Sequence, residues 1–210
     1  MRTGRGFERL MTFADAVVAI ALTLLVLPLS EFATDLEDDG TSVGDVLSDH
    51  RDDIGAFVLS FVVIWVLWSI HHRMMEYFDA YDGVIARLML VWMFTIVVLP
   101  FVTQLLAGPE YDHGAVPLYD GVLLVSSLAL AGQSWWGHRH PELLRQDSEE
   151  VRQWLAEPVS FVTPAILLVA LVLATVQPAI GTWPLIALVL DDRLEHLWMR
   201  LRGHRHAAAS

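Results

Sequence analysis

The chain contains neither cysteine nor lysine. Without cysteine there can be no disulfide, no thiolate metal ligand and no thiol nucleophile. Without lysine, all thirteen basic residues are arginine, which reads as composition bias rather than mechanism. A basic stripe is also missing. The formal net charge is −12, and between Glu31 and Asp53 nine acidic residues meet only Arg51. That surplus repels nucleic acid, so no nucleic-acid partner is expected. No His-Glu-x-x-His pattern occurs among the nine histidines. His138-x-His140 is a loop pair with no acidic partner at ligand spacing, so a membrane metalloenzyme or haem protein is only a minor alternative. No metal, cofactor or catalytic residue is expected.

What the sequence does have is apolar length. Hydrophobic residues make up 55% of the 210, against about 45–50% in a soluble domain. They fall into blocks long enough to cross a bilayer. Five spans are expected at 7–29, 54–78, 84–107, 116–136 and 159–180, and a weaker sixth at 182–201. The first block is long and lacks a small-residue cleavage site, so no cleavable signal peptide is expected. With six spans and both termini inside, twelve of the thirteen arginines lie on the inner side and Arg51 alone lies outside. The expectation is an all-α integral membrane protein, a single six-helix domain over 1–210, N-in and C-in. The acidic loop 31–53 then faces outward, with a short helix near "SVGDVLSDHRDD", and the tail 203–210 is disordered. No internal repeat is evident, so the inverted-repeat signature of many transporters is missing.

The first span, "RLMTFADAVVAIALTLLVLPL", carries two charges. Charge at membrane depth costs about 3 kcal/mol or more. Arg9 and Asp15 are six residues apart, about 240° around a helix, and cannot pair with each other. Arg9 sits at the inner boundary and can reach the headgroups. Asp15 lies deeper and needs donors from another helix. Trp68, His71 and His72, at the inner end of the second span, lie at the matching depth and carry such N–H groups. Beyond Asp15 a stripe of Ala16, Ile20, Thr23, Leu24 and Leu27 recurs every three or four residues. It would be core packing in a monomer, or stacked hydrophobic rings around the axis of a symmetric oligomer. Spacing alone favours packing.

The segment "RLMTFADAVVAIALTLLVL" resembles the Arg-x-x-x-Phe-Ser-Asp signature opening the first helix of the transmembrane protein 175 (TMEM175) family. These are the endolysosomal potassium channels and their prokaryotic relatives. "LSFVVIWVLWSIHHRMMEYF" is similar to the family's Ser-Phe…Trp-x-x-His-His segment, and "VLPFVTQLL" to its Leu-Pro-Phe ending of the third helix. The resemblance covers about the first half of the chain. Ala14 replaces the signature serine, and Met89 stands where the family carries asparagine, so the polar network below the first helix is thinner here.

The resemblance implies a potassium channel, modestly selective over sodium. It would be a homotetramer in the prokaryotic plasma membrane, with the first helix lining the pore and no Thr-Val-Gly-Tyr-Gly filter. Ile20 would be the narrowest constriction, Leu24 and Leu27 the next layers, and Ala16 and Thr23 pore-lining, Thr23 being tied to selectivity. Arg9, Phe13, Asp15, Trp68, His71 and His72 would hold the helix without touching the ion. Its partners would be its own copies, the lipid bilayer and permeant potassium ions. A proton-coupled carrier using Asp15 and the histidines is the chief rival, but residues 91–106 and 161–174 contain no ionisable side chain to relay a proton.

Overall fold

The computed structural model describes residues 4–32, 42–107, 114–145 and 148–176. The expected sixth span, the last residues of the fifth, the tail 203–210 and positions 33–41 of the acidic loop lie outside these. Within them the chain is all-helical: α1 Gly4–Leu24, α2 Leu27–Glu31, α3 Val43–Asp49, α4 Arg51–Met75, α5 Gly83–Ala107, α6 Ala115–Arg139, a 3₁₀ turn Pro141–Leu143, α7 Glu149–Ala156 and α8 Val162–Val176. Four stretches are long and apolar enough to cross a membrane: Arg5–Glu31, Arg51–Met75, Gly83–Leu106 and Ala115–Arg139. This is a multi-pass membrane protein.

The first span is broken, and Pro28 is the reason. Proline has no N–H to give the Leu24 carbonyl, and its ring crowds that turn. The helix therefore tightens at Leu25 and Val26, where the Val26 N–H reaches the Thr23 carbonyl at 3.3 Å, before α2 resumes. In the acidic loop the expected short helix is α3. Its N-cap Ser42 accepts from the Asp45 N–H, and the Asp45 carboxylate accepts from the Ser42 N–H at 3.1 Å, a reciprocal capping box.

The second span stops at Met75 rather than reaching Phe78. Phe78 pairs instead with Leu144 in an isolated antiparallel bridge. The Asp79 and Ala80 N–H groups donate to the Leu143 carbonyl at 2.9 and 3.2 Å. Those bonds pull the chain out of helical geometry. Helix α7, which the hydropathy pattern does not announce, covers this bridged connection after α4. Its Trp154 stacks on Tyr77 at 5.1 Å and meets Phe78 edge-on at 6.3 Å.

α5 is the centre of the bundle, packed against α6, α4 and α1, while α8 lies on the far side of α6. Lipid is as apolar as leucine, so helix association here depends on close packing and interhelical hydrogen bonds. One such cluster joins three helices. Thr103 Oγ1 of α5 lies 2.7 Å from Ser60 Oγ of α4, which lies 3.1 Å from the Tyr119 hydroxyl of α6.

Candidate functional site

α1 has two unlike faces. Phe7, Ala14, Val18, Ala21 and Leu25 are buried against the bundle. Ala16, Ile20, Thr23, Leu24 and Leu27 are all exposed. For Ile20 the exposed fraction is 58% and for Leu27 55%. Within one chain, then, the stripe is not core. The Thr23 hydroxyl donates to the Ile20 carbonyl at 2.7 Å, which leaves its oxygen lone pairs toward the uncovered side.

Asp15 holds the base of this helix. Its Oδ1 accepts from the Trp68 indole N–H at 2.8 Å and lies 3.9 Å from His72 Nδ1. The Trp68 and His72 rings lie 5.0 Å apart, as residues four apart on one helix face should. His72 Nε2 is also 3.9 Å from Glu76 Oε1. A shallow cavity lined by Trp68, Ser69, His72 and Arg73 opens beside this group.

Three residues expected to support the helix stand elsewhere. His71 is fully buried and stacks on Trp92 of α5, centroids 3.9 Å apart and planes 8° apart. Neighbouring positions on a helix diverge by about 100°, so His72 can face α1 while His71 faces α5. Phe13, 58% exposed, lies seven residues before Ile20 on the uncovered stripe. Arg9 is exposed in line with it. Both point away from the Asp15–Trp68 contact, because Phe13 is two residues from Asp15, about 200° around the helix, and Arg9 six, about 240°.

A second carboxylate contact was missed in the sequence. Asp82, immediately before α5, accepts from the Val84 and Ile85 N–H groups at 2.9 Å each and so caps that helix. Its other oxygen accepts from the Trp136 indole N–H of α6 at 2.9 Å. Desolvation pushes this carboxyl up, but the bonds from Ile85, Trp136 and Val84, with His140 nearby, outweigh it and leave Asp82 below the ordinary aspartate value. The Asp-Gly pair at 82–83 reads as a turn, which hid the contact. Asp120, a buried carboxylate inside α6, was also passed over, although a lone acid in "LYDGVLLV" is itself a signal. Among the described residues no three histidine or carboxylate side chains gather as a metal site. His138 and His140 turn instead to the Ser134 and Trp136 carbonyls.

A match to the family described as the endosomal/lysosomal potassium channel TMEM175 spans residues 9–100, which include Asp15, Trp68, His72 and the whole uncovered stripe. Residues 9–100 are thus similar to that family. A Streptomyces collinus protein named a potassium channel is 31% identical over 136 residues, covering 62% of this chain and 63% of its own length. The Danio rerio protein named endosomal/lysosomal proton channel TMEM175 is 26% identical over 137 residues, covering 65% of this chain but 26% of its own length. The chain thus matches less than two thirds of either relative. The fold carries further: a crystal structure of a lysosomal potassium-selective channel TMEM175 homolog from Chamaesiphon minutus aligns with a TM-score of 0.67. It is 22% identical and covers 91% of this chain and 98% of that one. The matched segment therefore holds the α1 stripe and the Asp15 contact, whereas Trp136 lies beyond it.

Proposed function

We propose that this chain is one subunit of a cation channel that favours potassium, with several copies of α1 surrounding the conduit. In this reading the assembly is a homotetramer in the prokaryotic plasma membrane. Each subunit has six spans with both termini inside, and there is no catalytic role. The observation that carries the reading is the uncovered stripe of Ala16, Ile20, Thr23, Leu24 and Leu27 on a helix whose opposite face is fully buried. Relatives named potassium channels support the choice of ion.

Ile20 is assigned the narrowest layer, with Leu24 and Leu27 above it. An apolar ring offers nothing to replace an ion's hydration shell, so a narrow ring is dry and closed. Conduction needs a ring wide enough for a partly hydrated ion. Potassium holds its water less tightly than sodium and loses less on passing, which makes selectivity real but modest. Thr23, with lone pairs free on the stripe, is assigned an oxygen contact to the passing ion. Asp15, Trp68 and His72 keep α1 seated on α4.

The test is potassium and sodium current through reconstituted protein carrying Ile20→Asn. A hydrated side chain at the dry layer should raise basal current and erode selectivity. Permeation identical to the parent would remove Ile20 from the constriction. The zebrafish relative is named a proton channel, so proton current is measured on the same bilayers. Protons passing while potassium does not would replace this choice of ion.

A further inference from the structure

Contrary to the expectation of no internal repeat, the polar contact at the base of α5 and α6 repeats that at the base of α1 and α4. Asp15 is bonded by an indole 53 residues on, and Asp82 by one 54 residues on. Each tryptophan is followed four residues later by a histidine ring packed on it. The centroids are 5.0 Å apart for Trp68–His72 and 4.0 Å for Trp136–His140. The local sequences agree as well: Asp-Ala-Val-Val-Ala at 15–19 and Asp-Gly-Val-Ile-Ala at 82–86. Burial follows the same register. Counted from the aspartate, Val18 and Ile85 are both buried, as are Leu25 and Trp92. Ile20 and Arg87, at the next shared position, are both exposed.

The two contacts act on one helix by different routes. The first ties α1 to α4 directly. The second ties α5 to α6, and α1 lies along α5, with the Phe7 and Tyr81 rings 6.3 Å apart next to Asp82. A shift of the α5 N-terminus therefore moves the surface on which α1 rests. Asp82 is suited to the task, since one oxygen caps α5 while the other is held by α6.

We propose that Asp82, Trp136 and His140 form a second latch, equivalent to Asp15, Trp68 and His72, which positions α1 by fixing α5 against α6. They are positioning residues for conduction, and in that respect the inference rests on the channel reading above.

Two variants break the latch without emptying the site. Trp136→Phe removes only the indole donor and keeps a ring against His140. Asp82→Asn keeps an oxygen for the Val84 and Ile85 N–H groups but turns a donor toward the indole. Both are compared with Trp68→Phe in the full-length protein. Assembly and melting temperature, hydrogen exchange by peptide, and single-channel recording in potassium are measured for each. Both second-latch variants should stay assembled and keep unit conductance, with Trp136→Phe melting close to the parent and Asp82→Asn measurably below it at neutral pH. They should speed exchange in residues 7–18 as well as 82–90, and shift open probability by roughly fivefold, as a lost bond of about that strength would. Trp68→Phe should shift it in the same direction. Faster exchange confined to α5 and α6, with α1 and open probability unchanged, overturns the proposal and leaves Asp82 a local cap. Absence of any current from the parent defeats the channel reading instead, and exchange across 7–18 then decides the latch by itself.

Discussion

Gly137 of α6 lies close against the connection that follows α4. A Cβ built there would lie 2.7 Å from Phe78 Cζ and 3.2 Å from Trp154 Cη2. Phe78 is almost fully buried, so its ring has nowhere to retreat. Gly→Ala in a helix interior gains about 1 kcal/mol from propensity, whereas overfilling a packed site costs about 1–3 kcal/mol. Gly137→Ala should therefore melt below the parent. Gly121→Ala, whose Cβ meets nothing within 4 Å, should melt at or above it. Equal melting of the two variants would show that the connection yields freely. At this scale the sequence was informative wherever a side chain had a need. A carboxylate at membrane depth requires a donor, and that requirement pointed from Asp15 to the level of Trp68 before any coordinates. It could not separate His71 from His72, because the two share a depth and differ only in azimuth. Phe13 shows how little a shared motif says about direction. A motif residue beside Asp15 suggests a shared job, but two helical positions turn it to the far side.

Elements were legible where hydropathy sets their length, and less so where backbone bonds end them. The third and fourth spans run as their apolar blocks run. The second ends early because Phe78 and Leu143 take over the hydrogen bonding, and no hydropathy pattern encodes such a bridge. The start of α5 has a measurable pH signature. The Asp82 carboxyl lies below its ordinary value of 3.8, chiefly through bonds from Ile85, Trp136 and Val84 acting against desolvation. A carboxyl lowered on folding stabilises the fold fully above its unfolded value. That contribution fades as pH falls through the folded value. The melting difference between the parent and Asp82→Asn should therefore stay constant from about pH 7 to 5 and shrink below about pH 3.8. Asparagine has no proton to take up in that range, so the variant supplies the baseline. A difference unchanged down to pH 3 would mean that the carboxylate contributes nothing through its charge.

At the scale of the whole molecule, one spacing serves two architectures. Side chains recurring every three or four residues line a subunit's own core as readily as an axis between subunits, so periodicity could not choose between them. Exposure within the chain separates them. The stripe through Ile20 is open while Ala21, one residue on, is 1% exposed. Because the protein has no cysteine, single cysteines report this difference without background. Thiol-directed cationic reagent should stop potassium flux through Ile20→Cys, Thr23→Cys and Leu27→Cys, and should leave Ala21→Cys conducting. Reaction at the neighbouring wall position Val18→Cys should be equally silent, since that side chain is buried against the bundle. A lipid-facing stripe would give another pattern, in which reagent that labels Ile20→Cys changes no current. A conduit inside one subunit would give a third, with sensitivity at Ser60→Cys, beside the Thr103 and Tyr119 hydroxyls of α5 and α6, and none along α1. Each pattern belongs to one arrangement of the same helices, and only the first leaves the α1 face at the axis.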